Sequence, residues 1–164
     1  MFVDYDLMPN DSRVWIYQSN REFNADELGI LKTKIQDFID VWKRHGADLK
    51  ASFVIKYNQF IVLLVDEGYN DVSGCSIDAS VNLIKKLENH FEIDLTNKLN
   101  ISFKDSVNIN IVSLSDFQNY VKQEKITSNT VVFNNMVTTK EAFENNWEVT
   151  ADKSWHKRFL ITEK

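Results

Sequence analysis

The only cysteine of the chain, Cys75, lies where a loop is predicted to become a helix. The helix would begin after Ser73 as its N-cap, or after Ser76 as the competing alternative. Backbone N–H groups and the helix dipole favour an anion there. This position would therefore favour the thiolate form of Cys75, which is a better nucleophile than the neutral thiol. One prediction is therefore a thiol-dependent enzyme or a redox-responsive protein. The alternative is a small buried residue packed where the helix meets a sheet.

Covalent catalysis by a thiol usually also needs a base such as histidine. His45 and His90 are predicted near the C-terminal ends of the two long helices, away from Cys75. Only His156 could fold back toward it. The absence of a base beside the thiol favours a protein that is not an enzyme.

Carboxylates follow the most apolar strand, at Asp66 and Glu67, and Asp78 is expected in the first turn of the next helix. The three carboxylates Asp66, Glu67 and Asp78 could bind a metal or serve in acid–base chemistry. Arg13 is expected beside them, so Arg13, Asp66 and Asp78 are candidate ligand-binding residues. Adjacent strand residues point to opposite faces, which favours the alternative of a solvated turn. No metal site and no cofactor are predicted, because P-loop, Rossmann, H-E-x-x-H and C-x-x-C patterns are missing.

Two further polar segments are candidate ligand sites. Ser19, Asn20 and Arg21 precede the first helix, where a guanidinium and helix amides could hold an anion in a small-ligand sensor. The alternative is a set of turn and cap residues. Trp155, His156 and Arg158 combine aromatic and basic groups, a mixture typical of interfaces. Here the alternative is a tail that docks on the sheet through its aromatic rings.

Composition restricts the class of protein. The chain has 164 residues, 43% of them apolar, which suits one domain, or one domain with a small appendage. Its formal charge of −5 argues against nucleic-acid binding. The longest apolar run, residues 60–65, is too short to span a membrane. With one cysteine and no secretory signal at the start of the sequence, we expect a cytoplasmic protein.

Hydrophobic periodicity predicts mixed α and β structure. Strands are expected at 14–17, 51–57 and 60–65, the second at a sheet edge with one face wet and the third central. Helices should follow Asn24, a capping-box residue, and Ser73, the first of them stopping at Gly46. A hairpin is expected around residues 101–111, a helix capped by Ser115 at 115–123, a strand at 130–133 and a short helix at 139–145.

The first six elements follow the order β-α-β-β-α-β, which is that of the ferredoxin-like split βαβ fold. We therefore predict an α+β core over residues 1–113 and a C-terminal extension over 114–164 that packs on the core. Another open α/β sandwich is the alternative. The extension, or a partner in a homodimer, would cover the second face of the sheet. Antiparallel packing of the first and third strands would place Arg13 beside Asp66, and Arg21 at the opposite end.

Four stretches resemble a family of small uncharacterised bacterial proteins over nearly the whole chain. They are residues 12–21, 73–78, 132–135 and 154–159. Some members carry an ABC-transporter ATPase label, but this sequence lacks the phosphate-binding loop that such an activity needs. Residues 115–132 are similar to part of the GYF-like bacterial modules, which are thought to mediate interactions. The leading hypothesis is a non-enzymatic cytosolic binding or adaptor protein whose partner, a protein or a small molecule, is unknown.

Overall fold

A computed structural model describes residues 1–160 of the chain. The fold is mixed α+β, with open antiparallel sheets. Its two compact units are described separately below. Unit 1 consists of Met1–Thr96 together with Thr138–Glu141, and unit 2 consists of Asn97–Val137 together with the described residues from Ala142 onward.

Strands and helices are interspersed along the chain, with four strands in succession between the two long helices. In chain order they are β1 (Arg13–Gln18), α1 (Ala25–Val41), β2 (Lys43–Arg44), β3 (Ala47–Asp48), β4 (Ala51–Lys56), β5 (Phe60–Val65), α2 (Gly74–Phe91), β6 (Asn100–Asp105), β7 (Asn108–Ser113), α3 (Leu114–Lys122), β8 (Val131–Phe133), α4 (Lys140–Asn146) and β9 (Glu148–Thr150). Short 3₁₀ turns occupy Tyr5–Leu7, Ala151–Lys153 and Trp155–Phe159.

Unit 1 is built on a three-stranded antiparallel sheet in the order β1-β5-β4. Every residue of β5 is buried, which confirms the predicted central strand and places β4 at an edge. The predicted wet face of β4 is wrong at Ser52, which is fully buried. Helices α1 and α2 pack on the face that carries Trp15, Phe53 and Leu63, because their apolar stripes join the same core cluster.

Caps fix where both long helices begin. Asn24 and Glu27 form the predicted capping box of α1: the Asn24 side chain accepts from the Glu27 N–H and the Glu27 side chain accepts from the Asn24 N–H. Helix α1 ends at Trp42 rather than at Gly46. Gly46, with φ of 81°, instead forms the tight turn between β2 and β3, a conformation that glycine adopts without strain.

Unit 2 is built on a four-stranded antiparallel sheet in the order β7-β6-β8-β9. Its core contains Phe103, Phe117 and Val132, and Trp155 and Phe159 of the tail pack against that cluster. Helix α3 starts two residues earlier than predicted, because the Ser113 side chain accepts from the Asp116 N–H and so serves as N-cap in place of Ser115.

The ferredoxin-like topology is not confirmed. Strands β1, β5 and β4 are adjacent as predicted, but the predicted fourth strand, β6, pairs with β7 and β8 instead of β1. The outer edge of β1 is already used, since Val14 N–H donates to Thr138 O at 2.9 Å. The two compact units divide at Thr96/Asn97, and Thr138–Glu141 belong to unit 1. The core over residues 1–113 and the extension over 114–164 stay predictions. Residues 161–164 of the predicted extension lie outside the described residues.

None of the helices in the described part of the chain is long and apolar enough to cross a membrane.

Candidate functional site

Cys75 occupies the second position of α2, where the sequence placed it. Ser73 is the N-cap, and its side chain accepts from the Ser76 N–H at 3.1 Å. The predicted alternative of a buried thiol is wrong, because Cys75 is exposed. Ser76, the next residue, turns inward and its Oγ donates to Lys43 O at 2.8 Å. The helix start therefore presents an accessible thiol on a well-anchored backbone.

The carboxylates after β5 hold their own turn together. Asp66 is 8% exposed, and its Oδ1 accepts from the Gly68 N–H at 3.0 Å. Glu67 faces Arg13 at 3.9 Å, while the Arg13 guanidinium also lies 4.7 Å from the centre of the Trp15 ring. The structure thus confirms that Arg13 lies beside this turn, and the geometry supports the alternative of a structural turn.

Asp78 is exposed and lies beyond the first turn of α2, so its predicted place in that turn is wrong. Within residues 1–160, no three histidine, cysteine, aspartate or glutamate side chains come together as a metal ion would require. Within the described residues, Asp66, Glu67 and Asp78 therefore do not come together as a metal site.

Arg21 is fully engaged within unit 1. Its guanidinium donates to both carboxylate oxygens of Glu27 at 2.8 Å and to Phe91 O at 2.8 Å. These hydrogen bonds, with the one from the Asn24 N–H, hold the pKa of Glu27 down at about 2. Because Glu27 neutralises the guanidinium, the geometry disfavours the predicted anion site.

Ser19 and Asn20 also serve local structure. Ser19 is fully buried, and its N–H donates to Gln59 O at 2.9 Å. The Asn20 side chain accepts from the Asp94 N–H at 3.0 Å. The turn and cap alternative for this segment therefore accounts for its polar groups.

The aromatic-basic tail is packed into unit 2. His156 is fully buried, its ring stacks on Trp155 at 3.8 Å, and its Nδ1 lies 2.7 Å from Ser154 Oγ. Burial lowers the pKa of His156 to about 4. Its Nε2 has no hydrogen-bond partner among the described residues, so the Ser154–His156 pair lacks the orienting carboxylate of a serine nucleophile. Arg158 lies 4.8 Å from the Phe159 ring and completes an aromatic layer.

A different region, which the sequence did not single out, forms an open groove of about 650 Å³ in unit 2. Phe103, Val112 and Tyr120 contribute its apolar surface, and the rings of Phe103 and Tyr120 lie 6.1 Å apart. Strand β8 is paired with β6 only at Val132 and Phe103, so the two strands diverge beyond this pair. The residues beyond this pair line the groove. They are Lys104–Ser106 of the hairpin, Val131 of β8, and Asn129 and Thr130 before it.

The groove carries more positive than negative charge. Among the described residues, two lysines, Lys104 and Lys125, and one acidic residue, Asp105, line the groove. Their formal charges sum to +1, whereas the whole chain has a formal charge of −5. Lys104 pairs with Glu148 at 3.4 Å. Lys125 has no carboxylate within ion-pair distance among residues 1–160, and its ammonium lies 5.6 Å from the centre of the Tyr120 ring.

Backbone geometry fixes the position of Lys125. Its N–H donates to Tyr120 O at 2.9 Å, after Glu124 turns the chain with φ of 60°. The loop that follows is held by the Thr127 N–H, which donates to Thr130 Oγ1 at 2.9 Å. The groove wall is therefore ordered by its own hydrogen bonds. A sequence signal was present only as the weak likeness of residues 115–132 to an interaction module.

Comparisons with protein-family models, with curated proteins and with solved structures find no match. The resemblance to a bacterial family therefore stays a prediction, and we infer the function from the geometry of the site alone.

Proposed function

We propose that the protein is a non-enzymatic binding or adaptor protein of the cytoplasm, and that its ligand occupies the groove of unit 2. The groove carries this proposal, because it combines an apolar surface with amide side chains that have no side-chain partner and a cation that has no carboxylate partner among residues 1–160. Such a mixture of mostly fixed apolar walls and a few polar groups is typical of ligand sites. The single cysteine, which cannot form a disulfide within the chain, supports the cytoplasmic location.

The lining residues favour binding over catalysis. Among the described residues that line the groove there is no histidine, cysteine or serine–histidine pair, and Asp105 is the one carboxylate. General acid–base or nucleophilic chemistry needs such groups at hydrogen-bond distance from each other. Asn110 and Asn129, by contrast, offer amide donors and acceptors that have no side-chain partner within residues 1–160.

The test is a ligand screen against two matched tryptophan variants. Asn110→Trp would fill the groove, whereas Asn119→Trp places the same ring on an exposed position of α3 outside it. A panel of carboxylates, phosphates and amphipathic aromatic compounds is scored by the shift in melting temperature. We expect compounds that stabilise wild type and Asn119→Trp but not Asn110→Trp. The proposal would be overturned if compounds stabilise Asn110→Trp as much as wild type, or if the protein turns over a panel compound.

Cys75 supports a second candidate function, that of a redox-responsive or thiol-dependent protein. The specific observation is that the thiol is exposed at the second position of a capped helix. The test is the rate of Cys75 alkylation in the native protein as a function of pH, with the urea-unfolded chain as reference. A native rate no faster than the unfolded rate at every pH would remove this candidate.

A further inference from the structure

The two sheets differ in how their edges are covered. In unit 1, Val14 N–H on the outer edge of β1 donates to Thr138 O. Strand β4 is bordered by the N-terminal residues, since Val3 N–H donates to Ala51 O at 2.9 Å. In unit 2, β9 is only three residues long. Strand β7 has six residues, and within residues 1–160 its outer edge makes no backbone hydrogen bond.

The hairpin geometry shows which backbone groups of β7 point outward. A two-residue turn, Ser106-Val107, joins β6 to β7, so the closing pair Asp105 and Asn108 is hydrogen-bonded. Pairs alternate along an antiparallel ladder. The N–H and C=O groups of Ile109 and Ile111 therefore point away from β6, toward the open edge.

Edge strands are usually blunted by charge, proline, a bulge or shortness. Strand β7 has none of these features: its sequence, Asn-Ile-Asn-Ile-Val-Ser, contains no charged residue and no proline, and its ladder with β6 pairs every residue in turn. Its four central residues are partly exposed. The strand is thus a template on which another extended backbone can pair.

The groove lies on the side of the sheet to which β7 contributes. Asn110 and Val112 line it, and they alternate along β7 with Ile109 and Ile111, whose backbone groups point toward the open edge. A strand added to β7 would run about 4.8 Å away and would place every second side chain on this same face. An acidic side chain there would meet the groove that holds Lys125, the cation over Tyr120.

We propose that unit 2 binds an extended peptide segment of a partner protein by strand addition to β7, with an acidic side chain of that peptide directed to Lys125. This inference depends on the proposed binding function and names its ligand class. A second copy of the chain fits less well, because it would offer β7 itself, which has no acidic residue to meet the positive groove.

The test uses an arrayed library of octapeptides in which β-branched residues alternate with varied residues. Binding is measured by fluorescence anisotropy against four proteins: wild type, Ile111→Pro, Lys125→Gln and Lys122→Gln. Ile111→Pro removes one outward N–H and keeps the ladder with β6. Lys122 is an exposed lysine of α3 that does not line the groove, which makes Lys122→Gln the matched control.

We expect the best binders to carry Asp or Glu at one alternating position. Their affinity should fall roughly tenfold or more in Ile111→Pro and in Lys125→Gln, and should be unchanged in Lys122→Gln. If Ile111→Pro does not fold, N-methylation of the peptide at alternate amides gives the same test from the ligand side, with the same expected loss.

Absence of peptide binders, or binders that N-methylation and Lys125→Gln leave unchanged, would overturn the inference. A dimer in analytical ultracentrifugation that Ile111→Pro dissociates, without peptide binding, would overturn it in favour of a second copy. The proposed function is tested separately. A small molecule whose binding is lost in Asn110→Trp would uphold the groove as a ligand site even if every peptide failed.

Discussion

The two units use their polar groups in different ways. In unit 1, two charged residues predicted as ligand sites are held by hydrogen bonds within the unit. The Arg21 guanidinium donates to the Glu27 carboxylate and to Phe91 O, and the Asp66 carboxylate accepts from Gly68 N–H. In unit 2, the Lys125 ammonium lies over the Tyr120 ring and has no carboxylate partner among the described residues. Within the same residues, the outer edge of β7 makes no backbone hydrogen bond.

This difference teaches that residue type alone does not locate a site. A guanidinium held by two carboxylate oxygens and a carbonyl has little left to offer a ligand, whereas a single ammonium beside an open groove does. Unit 1 is therefore the more self-contained of the two, in the sense that the charged groups of Arg21 and Asp66 are hydrogen-bonded within the unit. Unit 2 has groups that remain available to bind a ligand. The following variants test that contrast.

The largest expected effect is on the core beneath the groove. Phe117 is fully buried and packs its ring against Phe103, His156 and Phe159. Phe117→Ala should lower the free energy of unfolding by about 3–5 kcal/mol, because it removes apolar contacts and leaves a cavity. Urea denaturation measures this loss. A loss below about 1 kcal/mol would mean that the core of unit 2 is not packed as described.

A buried histidine gives the next largest effect, and it depends on pH. Burial lowers the pKa of His156 from 6.5 to about 4, so between these values the unfolded chain binds a proton that the folded chain does not. Stability from this group is complete above pH 6.5, falls as the pH drops through this window, and levels off below pH 4. The loss should be up to about 3 kcal/mol.

His156→Phe should remove that pH dependence, because phenylalanine keeps a ring against Trp155 and cannot be protonated. His90→Gln is the control, since His90 is exposed on α2 of unit 1. Urea denaturation at pH 7, 5.5 and 4 measures the pH dependence of the free energy of unfolding in each variant. If both variants retain the same slope as wild type, the pH dependence does not come from His156.

Helix caps offer a matched pair, one in each unit. Ser73 caps α2 and Ser113 caps α3, and each side chain accepts a backbone N–H at 3.1 Å. Replacement of either by alanine should cost about 0.5–2 kcal/mol in urea denaturation. We expect Ser73→Ala to cost more, because Ser73 Oγ also contacts Ser76 Oγ at 2.9 Å. A larger loss for Ser113→Ala would show that this extra contact adds no stability.

Local patterns predicted local structure well, and long-range pairing poorly. The cap at Asn24, the cap at Ser73 and the central strand β5 follow from residues close together in sequence, and all three are confirmed. The partner of β6 does not follow from its own sequence. Its alternating residues fit either β1 or β8, and only the occupation of the β1 edge by residues near Thr138 excludes the first.

The candidate site shows the same limit. Position predicted Cys75 at the second residue of α2, but the exposure of its thiol and the hydrogen bond from Arg21 to Phe91 O depend on parts of the chain that are distant in sequence. The groove combines residues from β6, β7, α3 and the loop before β8. No single segment of the chain carries a pattern for it, so only the folded arrangement reveals it.

The smallest expected effect is at the feature that looked most chemical. Cys75→Ser should change the free energy of unfolding by less than about 0.5 kcal/mol, because the thiol is exposed and makes no described contact that serine would lose. Urea denaturation measures this, and iodoacetamide should label Cys75 in the native protein. Protection from labelling together with a loss above about 1 kcal/mol would mean that the thiol is packed, and unit 1 would then be less self-contained than its other polar groups indicate.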